Sequence, residues 1–514
     1  MEKMLETVRH YAGTGKYRRV PVSRELYADA FTPIEVMRSL RAASRHCYLL
    51  ESAEDKQKWG RYSFLGYAPT MEITCTDGLV TVTEGAEEEE KNIRKIQTNN
   101  PGKVLRDILK EYKSPVMEGM PPFTGGLVGY FSYDYIKYAE PTLKPILENK
   151  RGQGEMRQEF RDADLMLFDK VIVFDHYRQK LILIAGVGLA GDLAENCRKA
   201  VRELEEMERL VKSGAKADFR PLELIREKDG EKVNVLEGFT YGSSQEEFCR
   251  MVERAKEYIR EGDIFQVVLS NPVTVKARGS LFDAYRVLRT LNPSPYMFYF
   301  SSDDIEVAGA SPETLAKLEK GRLYTFPLAG TRPRGITREE DLALEKELLE
   351  DEKECAEHNM LVDLGRNDIG KISVPGSVQV EKYMEIQRFS HVMHIGSTVS
   401  GEIRPDKDAV DVIDAILPAG TLSGAPKIRA CEIIAALEKQ KRGIYGGAVG
   451  YLDFTGNLDT CISIRLAYKK NGQVCVQSGA GIVADSVPEQ EFTECRNKAG
   501  AVLKAVRMAE GGLA

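Results

Sequence analysis

The chain has few of the features that mark secreted, membrane or nucleic-acid-binding proteins. Its nine cysteines form no C-x-x-C pair, which disfavours a disulfide framework and a thiolate zinc site. Lysine and arginine number 72 against 79 acidic residues, a net charge of -7, so the chain lacks a basic field for nucleic acid or an anionic membrane. The N-terminal segment has no apolar run of signal-peptide length, and no stretch of about eighteen apolar residues occurs. We expect a cytoplasmic protein.

The motifs that bind common cofactors are also missing. We find no G-x-x-x-x-G-K-[ST], no H-E-x-x-H, and no G-x-G-x-x-G that opens a helix after a strand. GVGLAG at residues 186–191 has the glycine spacing of a dinucleotide site, but the strand before it belongs to a predicted hairpin. A turn is therefore the better interpretation of this segment.

Length and residue pattern predict an α+β protein of two parts. The 514 residues exceed what one hydrophobic core usually supports, so we expect two domains or one large composite domain. A polar stretch ending near residue 242 divides a strand-rich region, 1–240, from a second domain, 241–514. Hairpins are predicted at 45–83 and 170–187, a meander at 445–481, and helices at 191–212, 244–261, 337–364 and 488–508. Hairpins form antiparallel sheets, so we expect antiparallel sheets packed as a sandwich with helices outside.

Two pairs of glutamates have the spacing of metal ligands. Glu354 and Glu357 lie three residues apart, as do Glu491 and Glu494, so each pair shares one helix face. Magnesium takes one or two carboxylates and leaves its other positions to water and substrate oxygens. Solvated acidic faces are the alternative in so charged a chain. However, the first pair runs into the apolar MLVDL, and Lys498 follows Glu494 at four residues, in position for an anionic ligand.

A histidine and three loops of small residues are further candidates. His394 lies in the apolar, strand-like HVMHIGS, where a hydrogen-bonded core histidine is the alternative to a general base. GASPE (309–313), PAGTLSGAPK (418–427) and SGAGIVADS (478–486) let backbone N–H groups approach a carboxylate. Each loop can also be an ordinary turn.

The order of the motifs is more specific than any one of them. GASPE, FPLAGTRPRG, AEHNMLVDLGRND, PAGTLSGAPK, GGAVGY and SGAGIVADS follow one another in a way that resembles the chorismate-utilizing enzyme family over roughly residues 243–505. LLES (49–52) and LNPSPYMFYF (291–300) resemble in particular the anthranilate-forming large subunits of that family. The resemblance implies a Mg²⁺-dependent lyase that aminates chorismate with ammonia and expels pyruvate, at the entrance to tryptophan biosynthesis.

The same resemblance implies a role for each matching residue. Glu357 and Glu494 would be the magnesium ligands, supported by Glu354 and Glu491. Glu313 would be the acid that assists departure of the ring hydroxyl, and His394 the base that removes the ring proton. The substrate-binding residues would be Gly330, Thr331, Thr421, Tyr445, Arg465, the backbone of Gly479, Ala480 and Gly481, and Lys498.

Two positions separate this chain from other members of the family. Enzymes that add water to chorismate have a similar sequence in the strand that contains Gln266, but they carry a lysine base at this position. Aminodeoxychorismate synthases usually carry a lysine nucleophile in place of Ala329. Direct attack by ammonia remains, with an aminodeoxychorismate synthase or a noncatalytic sensor of chorismate or tryptophan as alternatives. No cysteine lies in the G-x-C-x-G-Q pattern of glutamine amidotransferases, which implies a separate amidotransferase subunit, component II of such enzymes, as the source of ammonia.

The resemblance also implies feedback inhibition by L-tryptophan at a distinct site. LLES offers a carboxylate and a hydroxyl for an α-ammonium group, and NPSPYMFYF offers a ring-binding surface. A buried strand edge is the alternative. The implied inhibitor residues are Glu51, Ser52, Pro295, Tyr296, Met297 and Cys461. The last lies four residues before Arg465 on the same predicted strand, which would link the two sites.

Overall fold

Two large antiparallel sheets organise the chain. The computed structural model describes residues 1–53, 60–85, 91–148, 160–214, 220–225, 235–236, 238–388 and 392–513. Its α-helices are α1 (Glu2–Gly13), α2 (Pro33–Ala43), α3 (Pro101–Glu111), α4 (Ile136–Ala139), α5 (Lys144–Glu148), α6 (Leu193–Lys212), α7 (Gln245–Arg260), α8 (Phe282–Leu291), α9 (Arg338–Glu350), α10 (Glu352–Gly370), α11 (Ala409–Ile416), α12 (Gly420–Ser423), α13 (Lys427–Leu437) and α14 (Pro488–Met508). Its strands are β1 (Arg19–Tyr27), β2 (Cys47–Glu51), β3 (Tyr62–Tyr67), β4 (Met71–Thr76), β5 (Leu79–Glu84), β6 (Asn92–Gln97), β7 (Gly126–Phe131), β8 (Ala163–Phe168), β9 (Lys170–Asp175), β10 (Lys180–Gly188), β11 (Glu223–Ile225), β12 (Val235–Leu236), β13 (Phe239–Tyr241), β14 (Gln266–Arg278), β15 (Tyr296–Ser301), β16 (Ile305–Ser311), β17 (Thr314–Glu319), β18 (Arg322–Thr325), β19 (Leu328–Pro333), β20 (Gln379–Arg388), β21 (Val392–Glu402), β22 (Gly424–Ala425), β23 (Ala448–Asp453), β24 (Leu458–Ile462), β25 (Leu466–Lys470) and β26 (Gln473–Ile482).

Each sheet combines strands from both halves of the chain. The first sheet runs β1-β10-β9-β3-β2-β15-β16-β25-β26-β14-β13-β12, and β11 and β22 also pair with β14. The second runs β19-β21-β18-β17-β24-β23-β7-β8-β4-β5-β6, and β20 also pairs with β21. The predicted α+β class with antiparallel sheets is confirmed. The division at residue 240 does not separate the sheets, because β2 pairs with β15 and β7 pairs with β23.

Aromatic side chains fill the space between the two sheets. Tyr48 on the first sheet and Phe168 on the second lie with ring centroids 4.7 Å apart, within a cluster that also holds Tyr130, Phe298 and Phe300. A second apolar cluster joins the first sheet to helices that include α1, α2, α6, α8 and α14, and a third joins the second sheet to α3, α10 and α11. Among the described helices, none combines the length and the apolar character that crossing a membrane requires.

Turn and capping signals placed most elements correctly. The Asp77-Gly78 turn joins β4 to β5, with φ of 47° and 81° at its two residues. Helix α7 begins after Ser244, whose side chain accepts from the backbone N–H of Glu247 while the Glu247 carboxylate accepts from Ser244 N. The helix predicted over 337–364 is instead split into α9 and α10, because Asp351 has extended backbone and caps the second helix.

The predicted meander is wrong in one respect. Strands β23 and β24 pair in the second sheet, whereas β25 and β26 pair in the first, so the chain crosses between sheets at residues 463–465. Arg465 has a left-handed φ of 51° at this crossing. Cys461 and Arg465 therefore do not share a strand. Alternation of apolar residues looks the same in both sheets, so the pattern alone could not reveal the crossing.

Candidate active site

One cavity of about 650 Å³ brings most of the predicted site residues together. Its volume lies within the usual range for small-molecule sites. The walls come from β14 and β26 of the first sheet, β19 and β21 of the second, and helices α10, α12 and α14. The predicted residues in these walls are Glu313, Thr331, Glu354, Glu357, His394, Thr421, Tyr445, Arg465, Gly479, Gly481, Glu491, Glu494 and Lys498.

Two predicted residues, Gly330 and Ala480, lie behind the cavity wall. The carbonyl of Gly330 accepts a hydrogen bond from His394, and its backbone has a φ of 64° that favours glycine. The methyl of Ala480 is fully buried in an apolar cluster, because it lies on the opposite face of β26 from its two glycine neighbours.

His394 is held as a neutral base. Its Nδ1 lies 2.8 Å from the carbonyl oxygen of Gly330 and 3.1 Å from Oγ1 of Thr331. A carbonyl can only accept, so the proton is on Nδ1 and Nε2 carries the lone pair. Burial lowers the pKa of His394, and the positive charge of Arg465 lowers it further. The unprotonated imidazole is therefore the dominant form at neutral pH.

Glu313 is held as an acid. Burial raises the pKa of its carboxyl to about 7, against the opposing effects of a hydrogen bond from Thr421 and the charges of Arg465 and Lys498. Oγ1 of Thr421 donates to Oε1 at 3.0 Å. The backbone is fixed as well, because Ile462 N donates to the Glu313 carbonyl at 3.0 Å. The same cavity thus holds a proton donor and a proton acceptor.

The two glutamate pairs face the cavity from separate helices. Burial and the neighbouring charges of Glu354 and Glu494 raise the pKa of Glu357. Burial and Glu494 likewise raise the pKa of Glu491, whose Oε2 is buried without a hydrogen-bond partner. Within the described ranges, no three His, Cys, Asp or Glu side chains are close enough to enclose a metal ion. A magnesium ion needs only one or two carboxylates when substrate completes its shell, so the mutually repelling carboxylates fit this cation.

Lys498 was expected to bind an anionic ligand, and in the structure it pairs with Glu494. Its Nζ lies 2.7 Å from Oε1 of Glu494, one helical turn earlier on α14, and both side chains are about half exposed. The ammonium thus pairs with an expected metal ligand while it lines the cavity. A cation bound at Glu494 would compete with this ion pair.

The positions that distinguish related reactions both lie in the wall. Gln266 and Ala329 line the cavity, and a Cβ on Gly481 would come within 2.7 Å of Nε2 of Gln266. At Gly479 a Cβ would lie 2.8 Å from the Tyr445 hydroxyl and 2.7 Å from a backbone oxygen. Glycine at that position leaves the hydroxyl room beside the strand.

Several wall residues were not predicted. Lys353 precedes Glu354 on α10, and Gln477 precedes the small residues 478–481, which lie in strand β26 and not in the predicted loop. Both are next to segments that the sequence singled out, so adjacency was the available signal. Gln490 and Asp485 flank the start of α14 and join the same wall.

A second, smaller cavity contains all six residues implied as inhibitor contacts. Its volume is about 80 Å³, below the usual range for ligand sites. The walls include Glu51, Ser52, Pro295, Tyr296, Met297 and Cys461. They meet because β2 pairs with β15, which places Glu51 opposite Met297. We call this space the Ser52 cavity.

The carboxylates of the Ser52 cavity differ from the expectation. Glu51 is already bound, by the Tyr285 hydroxyl at 2.6 Å and by Nε of Arg289 at 2.8 Å. An incoming ammonium would share it. Asp459 was not predicted, although it lines the cavity and accepts from the Tyr296 hydroxyl at 2.8 Å. Alternation along β24 could have found it, since Asp459 lies two residues before Cys461.

The chain is similar to known proteins over nearly its whole length. Residues 45–504 match the family model of chorismate binding enzymes. The chain is 46% identical over 497 residues to anthranilate synthase component 1 of Acetivibrio thermocellus, covering 96% of each. It is similar to the crystal structure of anthranilate synthase component I from Streptococcus pneumoniae, with a TM-score of 0.70 and 37% identity over 86% of this chain and 92% of that one. The menaquinone-specific isochorismate synthase of Escherichia coli shares the fold, with a TM-score of 0.65 at 19% identity over 98% of both chains. The chain therefore belongs to the chorismate binding enzyme family, and within it to the anthranilate synthase component I proteins.

Proposed function

We propose that this chain aminates chorismate with ammonia and then eliminates pyruvate to form anthranilate. The main observation behind this proposal is that one cavity holds two groups whose pKa values are shifted in opposite directions. Glu313 keeps a proton because burial raises its pKa to about 7, and His394 lacks one because burial lowers its pKa. A substitution followed by an elimination needs one acid and one base.

Charge in the cavity fits a dianionic substrate. Arg465 and the Tyr445 hydroxyl lie beside the backbone of Gly479 and Gly481, and together they offer donors for one carboxylate. The second carboxylate would face the acidic helices, which repel it unless a cation is present. Magnesium held by Glu357 and Glu494, with Glu354 and Glu491 in support, would neutralise that repulsion.

In the first step ammonia attacks the ring and the ring hydroxyl leaves. The new C–N bond forms as the C–O bond breaks, and the departing oxygen takes the proton of Glu313 to become water. Ammonia carries its own lone pair, so the step needs no base in the wall. The amide of Gln266 cannot act as a base that activates water. The methyl of Ala329 cannot attack the ring as a nucleophile.

In the second step pyruvate leaves and the ring becomes aromatic. Nε2 of His394 removes the proton from the substrate ring. The hydrogen bond from Nδ1–H to the Gly330 carbonyl keeps the imidazole oriented and stabilises the imidazolium that forms. The electron pair of the broken C–H bond completes the aromatic ring as the bond between the ring carbon and the enolpyruvyl oxygen breaks, and the departing enolate takes a proton from water to become pyruvate. Aromatization drives this step forward.

A glutamine amidotransferase subunit would supply the ammonia. The chain has no cysteine in the pattern that such enzymes use for glutamine hydrolysis. Purified chain with chorismate, magnesium and ammonium is expected to form fluorescent anthranilate, whereas glutamine should serve only after component II is added. Identification of 4-amino instead of 2-amino product would reassign the chain to aminodeoxychorismate synthesis. Glutamine use by the chain alone would contradict the proposed partner.

L-Tryptophan would inhibit the enzyme from the Ser52 cavity. The cavity has aromatic walls, Tyr62, Phe64 and Tyr451, and two carboxylates that can face an α-ammonium group. Its small volume means that the indole must displace wall residues as it enters. A wall that moves on binding can report occupancy to the active site.

A further inference from the structure

A buried ion pair lies directly behind the active-site cavity. Arg442 and Glu438 are 2% and 6% exposed. Nη2 of Arg442 lies 2.5 Å from Oε1 of Glu438, and Nε lies 3.0 Å from Oε2. Neither residue lines the cavity, and neither was singled out from the sequence. Full burial of an arginine is costly unless its donors are all satisfied.

Two further N–H groups of Arg442 donate to backbone carbonyls of the cavity wall. Nη1 donates to the carbonyl of Leu422 at 2.6 Å, and Nη2 donates to that of Val268 at 2.6 Å. Both residues line the cavity, on α12 and β14 respectively. One guanidinium thus ties two walls of the site together. Lysine cannot do this, because it lacks the planar fork of donors.

Two further residues of the cavity wall, Gln477 and Tyr445, contact the network of this pair. Glu438 accepts from the backbone N–H of Ser270 at 2.8 Å and from its hydroxyl at 2.9 Å. The hydroxyl of Ser270 in turn accepts from the side chain of Gln477 at 2.7 Å. The Arg442 guanidinium carbon also lies 5.7 Å from the ring centroid of Tyr445, within reach of a cation–π contact.

The most consequential contact is the one to Leu422. Leu422 directly follows Thr421, whose hydroxyl donates to Glu313. Helix α12 has only four residues and no side-chain cap, so it has little rigidity of its own. The bond from Arg442 fixes it from behind.

We propose that Arg442, oriented by Glu438, is a positioning residue for amination that holds Thr421 against Glu313 through the carbonyl of Leu422. This inference rests on the proposed function of the cavity. Arg442 contacts neither the substrate space nor the acid itself. Its effect passes through the backbone of α12.

Loss of the Arg442 guanidinium should change how Glu313 titrates. The bond from Thr421 lowers the pKa of Glu313, as do the charges of Arg465 and Lys498, whereas burial raises it. With Arg442→Lys, the fork is lost and Thr421 is less firmly placed, so the pKa of Glu313 should rise further. The two cationic neighbours stay in place. A merely structural role would leave this titration unchanged.

Infrared spectroscopy can follow Glu313 without turnover. The difference between spectra of proteins with and without Glu313→Gln isolates the carboxyl band across a pH series. In Arg442→Lys the midpoint should lie at higher pH than in the parent. Ammonium-dependent kcat should fall about 10- to 100-fold, the usual effect of a small misplacement, while KM for chorismate changes little.

Arg429→Lys is the matched control. Arg429 is on α13, the helix that ends just before Glu438, and its guanidinium also pairs with carboxylates, those of Asp263 and Glu432, but its side chain is 42% exposed. This variant should keep both the midpoint and kcat of the parent. A folded Arg442→Lys protein that also keeps both would overturn the inference.

If Arg442→Lys does not fold, Ser270→Ala tests the same network. It removes one hydroxyl bond to Glu438 and should move the midpoint in the same direction by less. An unmoved midpoint in this folded variant would count against positioning. Failure of the parent to form anthranilate would instead defeat the proposed function, because the infrared titration does not depend on the reaction.

Discussion

The hydroxyl of Tyr296, in the wall of the Ser52 cavity, lies 3.0 Å from Oγ1 of Thr314, the residue that follows the acid Glu313. The same hydroxyl donates to Asp459 at 2.8 Å. Thr314 also lies opposite Cys461 in the pairing of β17 with β24. A ligand that displaces the Tyr296 ring would therefore disturb the strand that begins beside the acid.

We expect Thr314→Val to uncouple inhibition from tryptophan binding. The variant keeps the shape of threonine but loses the bond to Tyr296, and a neutral hydrogen bond is worth about 1 kcal/mol. Inhibition at fixed tryptophan should weaken about fivefold, whereas the affinity for tryptophan measured by calorimetry without chorismate should change little. The control is Thr240→Val, at an exposed position of β13. Tryptophan should inhibit this variant as strongly as it inhibits the parent.

The coupling between tryptophan and chorismate binding can also be measured from the tryptophan side. If tryptophan weakens chorismate binding in the parent, chorismate must weaken tryptophan binding by the same factor. That factor should shrink toward one in Thr314→Val. Ser52→Phe, which fills the cavity, should instead abolish tryptophan binding. Equal tryptophan affinity with and without chorismate in the parent would remove the basis for any coupling between the two sites.

Removal of either expected metal ligand should abolish magnesium-dependent turnover. Glu357→Ala and Glu494→Ala each delete a carboxylate from a cation with few protein ligands. Glu354→Ala, which removes a supporting group, should cost about 10- to 100-fold. Magnesium titrations of ammonium-dependent activity measure all three. Glu489→Ala, exposed on α14, is the control, and normal magnesium dependence in both ligand variants would rule the site out.

His394→Met should separate the two chemical steps. The variant lacks the base that removes the ring proton, but Glu313 and its donor Thr421 are untouched, so amination should proceed and the aminated intermediate should accumulate. Chromatography of the reaction with ammonium detects it. His10→Met, on the exposed face of α1, should form anthranilate normally. Absence of both intermediate and product would show that His394 serves the first step or the fold.

The sequence predicted which residues share the large cavity better than it predicted the sheets. The glutamates share helix faces because their spacing of three residues is a local property, and α10 and α14 carry them as expected. The crossing at Arg465 is different, since it depends on which sheet accepts each strand. Local alternation carries no such information.

Long-range partners explain what remained hidden. Arg442 and Glu438 are four residues apart and look like an ordinary surface pair. However, Arg442 also binds the backbone carbonyls of Val268 and Leu422, and Glu438 also binds Ser270. Glu51 lines the Ser52 cavity, but no sequence pattern indicated that Arg289 on α8 is its partner. Contacts between distant segments are fixed only by packing.

Glu313 should also make stability depend on pH. Its pKa is raised from 4.5 to about 7 in the folded protein. Between these values the folded state keeps a proton that the unfolded state has lost, so the free energy of unfolding falls as pH rises. The stabilisation that the raised pKa of Glu313 provides is fully present below pH 4.5 and is lost above about pH 7. A difference of this size corresponds to at most about 3 kcal/mol.

Glu313→Gln removes this titration while keeping nearly the same shape. The variant should therefore gain stability relative to the parent as pH rises from about 5 to 8, by up to about 3 kcal/mol, although it should lose amination activity. Urea unfolding of both proteins at several pH values measures the difference. Glu489→Gln, at an exposed position, should follow the parent throughout. If the gap between Glu313→Gln and the parent is the same at both ends of that range, Glu313 does not hold its proton in the folded protein and cannot act as the acid at neutral pH.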